Sequence, residues 1–187
     1  MDKKFFEDID YKLLDKNIVY KGKRILVEEL HYYNTRKHQT IYREHVLAGD
    51  AVIIMPITDN NEFIMIKEPR TPIGKTVLAF PAGMIEKGED SKAAALRELE
   101  EEVGYKAKNI QKLREVYPAI GYSDEKVTIY LASELIETHT NFDETEDIEI
   151  VKIKIEDAKE MLKNNEIKTS SESIALFHYF MYLDKQY

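Results

Sequence analysis

One short segment constrains this chain more than any other feature. Residues 91–103 start at Ser91, which suits a helix N-cap, and stop before Gly104, a residue favoured just past helix C-termini. Helical spacing brings three carboxylates to one face, those of Glu98, Glu101 and Glu102. The opposite face is apolar and carries Leu96, Leu99 and Val103. The segment therefore predicts a helix with a core-facing side and an acidic side.

The acidic face is unfavourable for stability alone. Carboxylates at i,i+3 and i,i+4 repel each other by a few tenths of a kcal/mol per pair, and the negative end of the helix dipole adds to this cost. A divalent cation would reverse the argument, because carboxylate oxygens are hard ligands that suit Mg²⁺ or Mn²⁺. Such an ion neutralises phosphate groups and lowers the pKa of a water that can attack phosphorus. The alternative is an ordinary solvated helix face.

The rest of the chain mixes short strands with a few helices. Apolar patterning and turn residues predict strands over residues 18–20, 24–30, 40–45, 52–57, 62–67, 76–80, 111–117, 127–133 and 149–153. Helices are predicted over 155–164 and 171–183, and Thr169 and Glu172 have the spacing of a capping box for the last one. This pattern indicates an α/β (α+β) fold.

Composition excludes several classes of protein. The formal net charge is -8 with no dense Lys/Arg run, which argues against a nucleic-acid partner. The chain has no cysteine, so disulfides and thiolate metal sites are excluded. The N-terminus lacks the apolar core of a signal peptide, and the longest apolar stretch, 51–57, is too short for a membrane span. We predict a cytoplasmic protein without a membrane partner. The histidines show no short metal-ligand spacing and are interpreted as surface or structural residues: His31, His38, His45, His139 and His178.

The acidic helix lies within a known motif. The spacing G-x5-E-x7-R-E-U-x-E-E-x-G-U, where U is a bulky apolar residue, is that of the Nudix box. This sequence fills every fixed position, with Gly83, Glu89, Arg97, Glu98, Glu101, Glu102 and Gly104. Tyr105 takes the place of the last U. The chain therefore resembles the Nudix hydrolases, from about residue 18 to residue 183.

The resemblance implies a fold and a set of metal ligands. The fold is the Nudix α/β/α sandwich, here with an N-terminal antiparallel strand extension. By position in the motif, Glu98 and Glu102 resemble the main metal ligands, and Glu101 resembles a further ligand or a water-activating group. The backbone carbonyl of Ala82 matches a position that often contacts a metal. Glu89 and Arg97 resemble the ion pair that orients the helix, and Gly83 and Gly104 the structural glycines of the box.

Segments around the box narrow the branch of the family. Residues 80–83 (FPAG) and 66–72 (IKEPRTP) resemble the lead-in of the ADP-ribose and nucleotide-sugar pyrophosphatases, where Arg70 would bind the diphosphate. Residues 117–125 (YPAIGYSDE) resemble a loop whose last glutamate, here Glu125, acts as catalytic base or helps to bind metal. Ordinary surface roles are the alternatives for both residues. Ala119-Ile120 stands where ADP-ribose enzymes usually have Ser-Pro, as in relatives that accept nucleotide sugars.

The N-terminal region resembles a dimer contact of the same branch. Arg43-Glu44 followed by Gly49 matches a motif in which the arginine approaches the adenine bound by a neighbouring subunit. We therefore predict a β extension over residues 1–45 that contacts a second subunit, and a Nudix hydrolase domain over 46–187. The predicted partner is a second copy of the chain.

The resemblance predicts a metal-dependent hydrolase that takes a small nucleotide substrate. ADP-ribose or a related nucleoside diphosphate sugar would be cut to a nucleoside monophosphate and a sugar phosphate. The alternatives are action on NADH, a dinucleotide polyphosphate or a nucleoside triphosphate. A further alternative is a Nudix-fold module that senses ADP-ribose without cutting it.

Overall fold

The computed structural model describes residues 9–141 and 147–183, which form two compact units. The first unit contains the described residues up to Ala48 together with Ala119–Glu125, and the second contains the rest. Within the described residues, no helix combines the length and the apolarity needed to cross a membrane.

The first unit is built on a three-stranded antiparallel sheet in the order β1-β2-β3. Its strands are β1 (Tyr11–Lys21), β2 (Leu26–Asn34) and β3 (Gln39–Leu47). The buried Asn34 side chain accepts hydrogen bonds from the backbone N–H groups of Arg36 and Lys37, which shapes the turn between β2 and β3. All eleven residues of β1 are exposed, and this strand is much longer than the predicted strand over 18–20.

The second unit has two sheets and three helices. The strands are β4 (Ala51–Pro56), β5 (Glu62–Arg70), β6 (Lys75–Ala79), β7 (Ala82–Met84), β8 (Tyr105–Val116), β9 (Val127–Glu137) and β10 (Glu149–Lys154). The helices are α1 (Ser91–Val103), α2 (Ile155–Lys163) and α3 (Ser170–His178), and α3 continues as a π-helical turn over Tyr179–Leu183. One sheet has the order β7-β4-β9-β8 and the other β10-β5-β6. Strands β4 and β9 are parallel to each other.

Strand β4 lies between two halves of the core, because side chains alternate across a strand. Val52 and Ile54 belong to the cluster that contains Leu99 of α1. Ile53 and Met55 belong to the cluster that contains residues of α2 and α3, such as Leu176. Helices thus cover both faces of the sheet, and the predicted mixed α/β sandwich is confirmed.

Two details of helix capping differ from the prediction. The N-cap of α1 is Asp90, whose side chain accepts from the N–H groups of Lys92 and Ala93. The predicted cap, Ser91, is instead the first residue of the helix. Its hydroxyl lies 2.7 Å from the hydroxyl of Tyr130.

The predicted capping box at the start of α3 is wrong. Thr169 is the N-cap residue, but its side chain makes no capping hydrogen bond, and its hydroxyl oxygen is buried without a partner among the described residues. The backbone carbonyl of Thr169 accepts from the hydroxyl of Ser173 at 2.8 Å.

Candidate active site

An ion pair ties helix α1 to the loop that precedes it. Arg97 donates from Nε to Glu89 Oε1 and from Nη2 to Glu89 Oε2, both at 3.0 Å. The same Nη2 donates to the carbonyl oxygen of Met84 at 3.0 Å. The hydrogen bond from Arg97 lowers the pKa of Glu89, and the bond to Glu89 raises the pKa of Arg97 further above its usual range. Arg97, which comes directly before the glutamates of α1, therefore holds the loop between β7 and α1 in place.

The remaining guanidinium nitrogen of Arg97 faces the acidic side of α1. Its Nη1 lies 2.6 Å from Glu98 Oε1 and 3.1 Å from Glu101 Oε2. The single positive charge of Arg97 is thus shared among the carboxylates of Glu89, Glu98 and Glu101. Glu102 of α1 adds a fourth carboxylate nearby in the sequence. The arrangement keeps an excess of negative charge on partly buried oxygens, which is costly at the C-terminal end of a helix.

Two of these glutamates also contact the short strand β7. Glu102 is buried, and its Oε2 accepts a hydrogen bond from the backbone N–H of Ala82 at 2.9 Å. The Glu98 carboxylate lies so close to Gly83 that a Cβ at this position would overlap it. A glycine is therefore required here by the close approach of the carboxylate. Two carboxylates of helix α1 therefore lie directly against the backbone of β7.

This set of oxygens fits a hard divalent cation in its chemistry. Glu98, Glu101 and Glu102 offer carboxylates from one helix turn, and their excess negative charge is what such an ion offsets. Their side chains point toward Arg97 and the β7 backbone. Over residues 9–141 and 147–183, no group of three His, Asp or Glu side chains is arranged as a set of metal ligands.

Arg70 lies at the end of β5 in the same unit as the box residues. Its side chain is half exposed and forms an ion pair with the more buried Glu68. The guanidinium is therefore held at the surface of the second unit.

The other two predicted site residues, Glu125 and Arg43, belong to the first unit. The N–H of Glu125 donates to the hydroxyl of Ser123 at 3.1 Å, which orders the end of the loop. Arg43 is exposed on β3, and its Nη1 donates to the carbonyl of Tyr42 at 2.7 Å.

The sequence interpretation missed the residues that hold the Glu125 loop. His45 Nε2 lies 3.2 Å from Asp124 Oδ1, and the Ser123 hydroxyl donates to the carbonyl of Val46 at 2.9 Å. The S-D-E run in the loop was the available signal, because Ser and Asp next to a candidate glutamate often order its backbone. Nothing in the sequence near His45 and Val46 indicates that these residues of β3 contact the loop.

Comparisons with known proteins agree with these features. A protein-family model described as NUDIX domain matches residues 47–177. The chain is 34% identical over 174 residues to the ADP-ribose pyrophosphatase of Bacillus subtilis (strain 168), covering 91% of this chain and 92% of that protein. It is 35% identical over 140 residues to the methanol dehydrogenase activator of Bacillus methanolicus, covering 74% of this chain and 76% of that protein. A crystal structure described as ADP compounds hydrolase matches with a TM-score of 0.85 and 25% identity, covering 97% of this chain and 98% of that one.

Proposed function

The chain belongs to the Nudix family and is a Nudix hydrolase, and from this premise we propose that it hydrolyses the diphosphate bond of ADP-ribose or a related nucleoside diphosphate sugar. The products would be a nucleoside monophosphate, AMP in the case of ADP-ribose, and a sugar phosphate, here ribose 5-phosphate. The observation that carries the proposal is the contact of the Glu98 and Glu102 carboxylates with the backbone at residues 82–83, which ties two of the box glutamates to the strand before α1. The relative named ADP-ribose pyrophosphatase supports the choice of substrate.

The metal ligands that we propose are Glu98, Glu101, Glu102 and the backbone carbonyl of Ala82. Their oxygens suit Mg²⁺ or Mn²⁺, which prefer hard ligands. When bound, such an ion supplies charge neutralisation for the diphosphate and makes a water more acidic. The contacts of Glu98 with Gly83 and of Glu102 with the N–H of Ala82 support this assignment because they place both carboxylates beside the short strand that carries the proposed carbonyl ligand.

Other residues would bind the substrate and orient the site. Arg97 and Glu89 hold α1 against its preceding loop, which keeps the carboxylates at fixed positions. Arg70 would bind phosphate oxygens, since its planar guanidinium can hold two of them at once. Arg43, exposed on β3, is proposed to contact the base of the nucleotide, in a site shared with a second subunit.

The reaction needs a base and no covalent intermediate. Glu125, or Glu101 in its place, would accept a proton from the water as the water oxygen bonds to one phosphorus. The bridging P–O bond then breaks, and the leaving phosphate departs with charge that Arg70 helps to stabilise.

A matched pair of variants tests the assignment of the glutamates. Glu102→Gln should lower kcat by orders of magnitude and leave the folded state intact, because it removes one ligand charge and little volume. Glu100→Gln is the control, since Glu100 lies on the same helix but pairs with Lys106 at 3.0 Å. Near-normal turnover by Glu102→Gln at saturating Mg²⁺ would overturn the metal assignment.

A substrate panel tests the choice of nucleotide. ADP-ribose, nucleotide sugars, NADH, a dinucleotide polyphosphate and nucleoside triphosphates should be assayed with Mg²⁺ and with Mn²⁺, following release of AMP and sugar phosphate. We expect the diphosphate sugars to be cleaved with the highest kcat/KM. Preferred cleavage of triphosphates would refute the substrate, and tight ADP-ribose binding without turnover would indicate a sensing module.

We further propose that residues 1–45 form an extension that contacts a second copy of the chain, beside a hydrolase domain over 46–187. The support is strand β1, which exposes Ile18, Val19 and Tyr20 by 58%, 58% and 59%. Several large apolar side chains on one exposed strand are typical of an interaction surface. Light scattering should give the mass of a dimer, and a monomer at micromolar concentration would contradict the proposal. The cytoplasmic location stays a prediction from the sequence.

A further inference from the structure

The loop that carries Glu125 is bound to strand β3 by a series of short contacts within the first unit. The N–H of Val46 donates to the carbonyl of Tyr122 at 2.7 Å, and the Ser123 hydroxyl donates to the carbonyl of Val46 at 2.9 Å. The same hydroxyl accepts from the N–H of Glu125 at 3.1 Å. Val46 and Ser123 form an isolated parallel β-bridge. The backbone at residues 122–123, just before Glu125, therefore pairs with β3, the edge strand of the N-terminal sheet.

One side-chain contact reinforces this attachment. His45 Nε2 lies 3.2 Å from Asp124 Oδ1, directly beside Glu125 in the chain. The other ring nitrogen, Nδ1, faces Glu28 Oε2 at 3.7 Å, and Lys16 Nζ binds the second oxygen of Glu28 at 3.0 Å. The His45 and Glu28 side chains are only 22% and 10% exposed, so their orientations are restricted by the sheet. A row of contacting polar and charged side chains therefore runs from β1 across β2 and β3 to the loop.

We propose that His45 is a positioning residue for Glu125, which it acts on through Asp124. This inference rests on the proposed function, because it takes Glu125 to be the group that accepts the proton. Asp124 is 62% exposed, so without His45 its side chain would be free to rotate into solvent. The backbone bonds at Val46 would remain, but the segment from 124 to 125 would sample more orientations. In this role the N-terminal sheet supports the reaction as well as any contact with a second subunit.

The expected size of the effect follows from the exposure of the pair. A side-chain contact with one exposed partner is worth a modest free energy, so removing His45 should lower the equilibrium constant for the ordered loop by about three- to tenfold. Because the ordered loop is needed for proton transfer and not for holding the nucleotide, kcat should fall by up to this factor while KM changes by less than about twofold. A merely structural role would lower the amount of folded enzyme and leave kcat per folded molecule unchanged.

The test compares four variants of the full chain with one control variant. His45→Ala and Asp124→Ala each remove the contact, and their double variant should be no worse than either alone, since both act on one interaction. His45→Gln keeps an N–H donor near the position of Nε2 and should recover most of the lost kcat. The control is His31→Ala. His31 lies on the same sheet and pairs with Glu29 at 3.3 Å, away from the loop contacts described above.

A second readout keeps the inference separate from the proposed function. Hydrogen–deuterium exchange of the peptide that spans residues 117–126 should be faster in His45→Ala and Asp124→Ala than in the wild type and in His31→Ala. Unchanged exchange in the two loop variants would overturn the tether, whatever their activity. Faster exchange with unchanged kcat would overturn the role in catalysis. If the wild type cleaves none of the nucleotides, the proposed function fails, while faster exchange would still support the tether itself.

Discussion

Replacing Gly83 by alanine is expected to separate activity from stability. An added Cβ would overlap the carboxylate of Glu98, which therefore has to move by on the order of 1 Å to reach normal contact distance. A displacement of this size at a catalytic group costs about 10²-fold in rate, or about 2.7 kcal/mol of transition-state stabilisation. The backbone at Gly83 is outside the left-handed region, and the displaced atoms are at the end of a side chain. The free energy of unfolding should therefore change by no more than about 1 kcal/mol.

The assay measures kcat for ADP-ribose over a Mg²⁺ titration, together with urea unfolding of the same preparations. Gly22→Ala is the matched control, since its added Cβ would come closest to a movable side chain, that of the exposed Tyr20, with the carbonyl oxygen of Ile25 next at 3.2 Å. Gly22 lies outside the box, so kcat should be unchanged there. Normal kcat in Gly83→Ala would refute the argument that the contact of Gly83 with Glu98 fixes a metal ligand. A large loss of stability would show that the substitution acts on the fold instead.

Three further substitutions probe the contacts around α1 and β5. Asp90→Ala removes the acceptor of two helix N–H groups and should cost about 1 kcal/mol in urea unfolding, whereas no loss would contradict the assigned cap. Glu89 has a lowered pKa in the folded protein, so its contribution is complete above its ordinary value of 4.5 and is lost as the pH falls through the lowered value. The difference in unfolding free energy between wild type and Glu89→Gln should therefore shrink below pH 4.5, and a constant difference would refute the pairing with Arg97. Arg70→Lys keeps the charge but loses the planar fork, and should lower kcat as well as raise KM for ADP-ribose, whereas an unchanged kcat/KM would refute the phosphate contact.

Local signals were sufficient to predict the central helix. Helix α1 begins at Ser91 and ends at Val103, as the polar start and Gly104 indicate, and Gly104 adopts the left-handed conformation with φ of 71°. The sequence predicts the cap one residue late, because Asp90 and Ser91 are both good caps, and in the structure Asp90 caps the helix while the Ser91 hydroxyl pairs with that of Tyr130. Such a choice depends on a residue far away in the sequence, which periodicity does not reveal.

The same limit explains why His45 was interpreted as an ordinary structural residue. Its partners Glu28 and Asp124 are 17 and 79 positions away in the chain, and the antiparallel pairing of β2 with β3 brings the first of them opposite. Motif spacing identifies residues that share one helix or loop, as in the box. It carries no information on which strand a loop will join, so the attachment of residues 119–125 to the N-terminal sheet required the structure.

Metal binding should be visible as a change in stability even without substrate. A ligand that binds only the folded state at one hundred times its dissociation constant stabilises it by about 2.7 kcal/mol, which raises Tm by about 5–10 °C for a chain of this size. The wild type should show such a shift with Mn²⁺ or Mg²⁺, because the carboxylates of α1 share the single charge of Arg97. Glu102→Gln should lose most of the shift, and Glu100→Gln should keep it, since Glu100 pairs with Lys106. Equal shifts in all three proteins would mean that the ion binds elsewhere, and the acidic face of α1 would then be only a solvated surface.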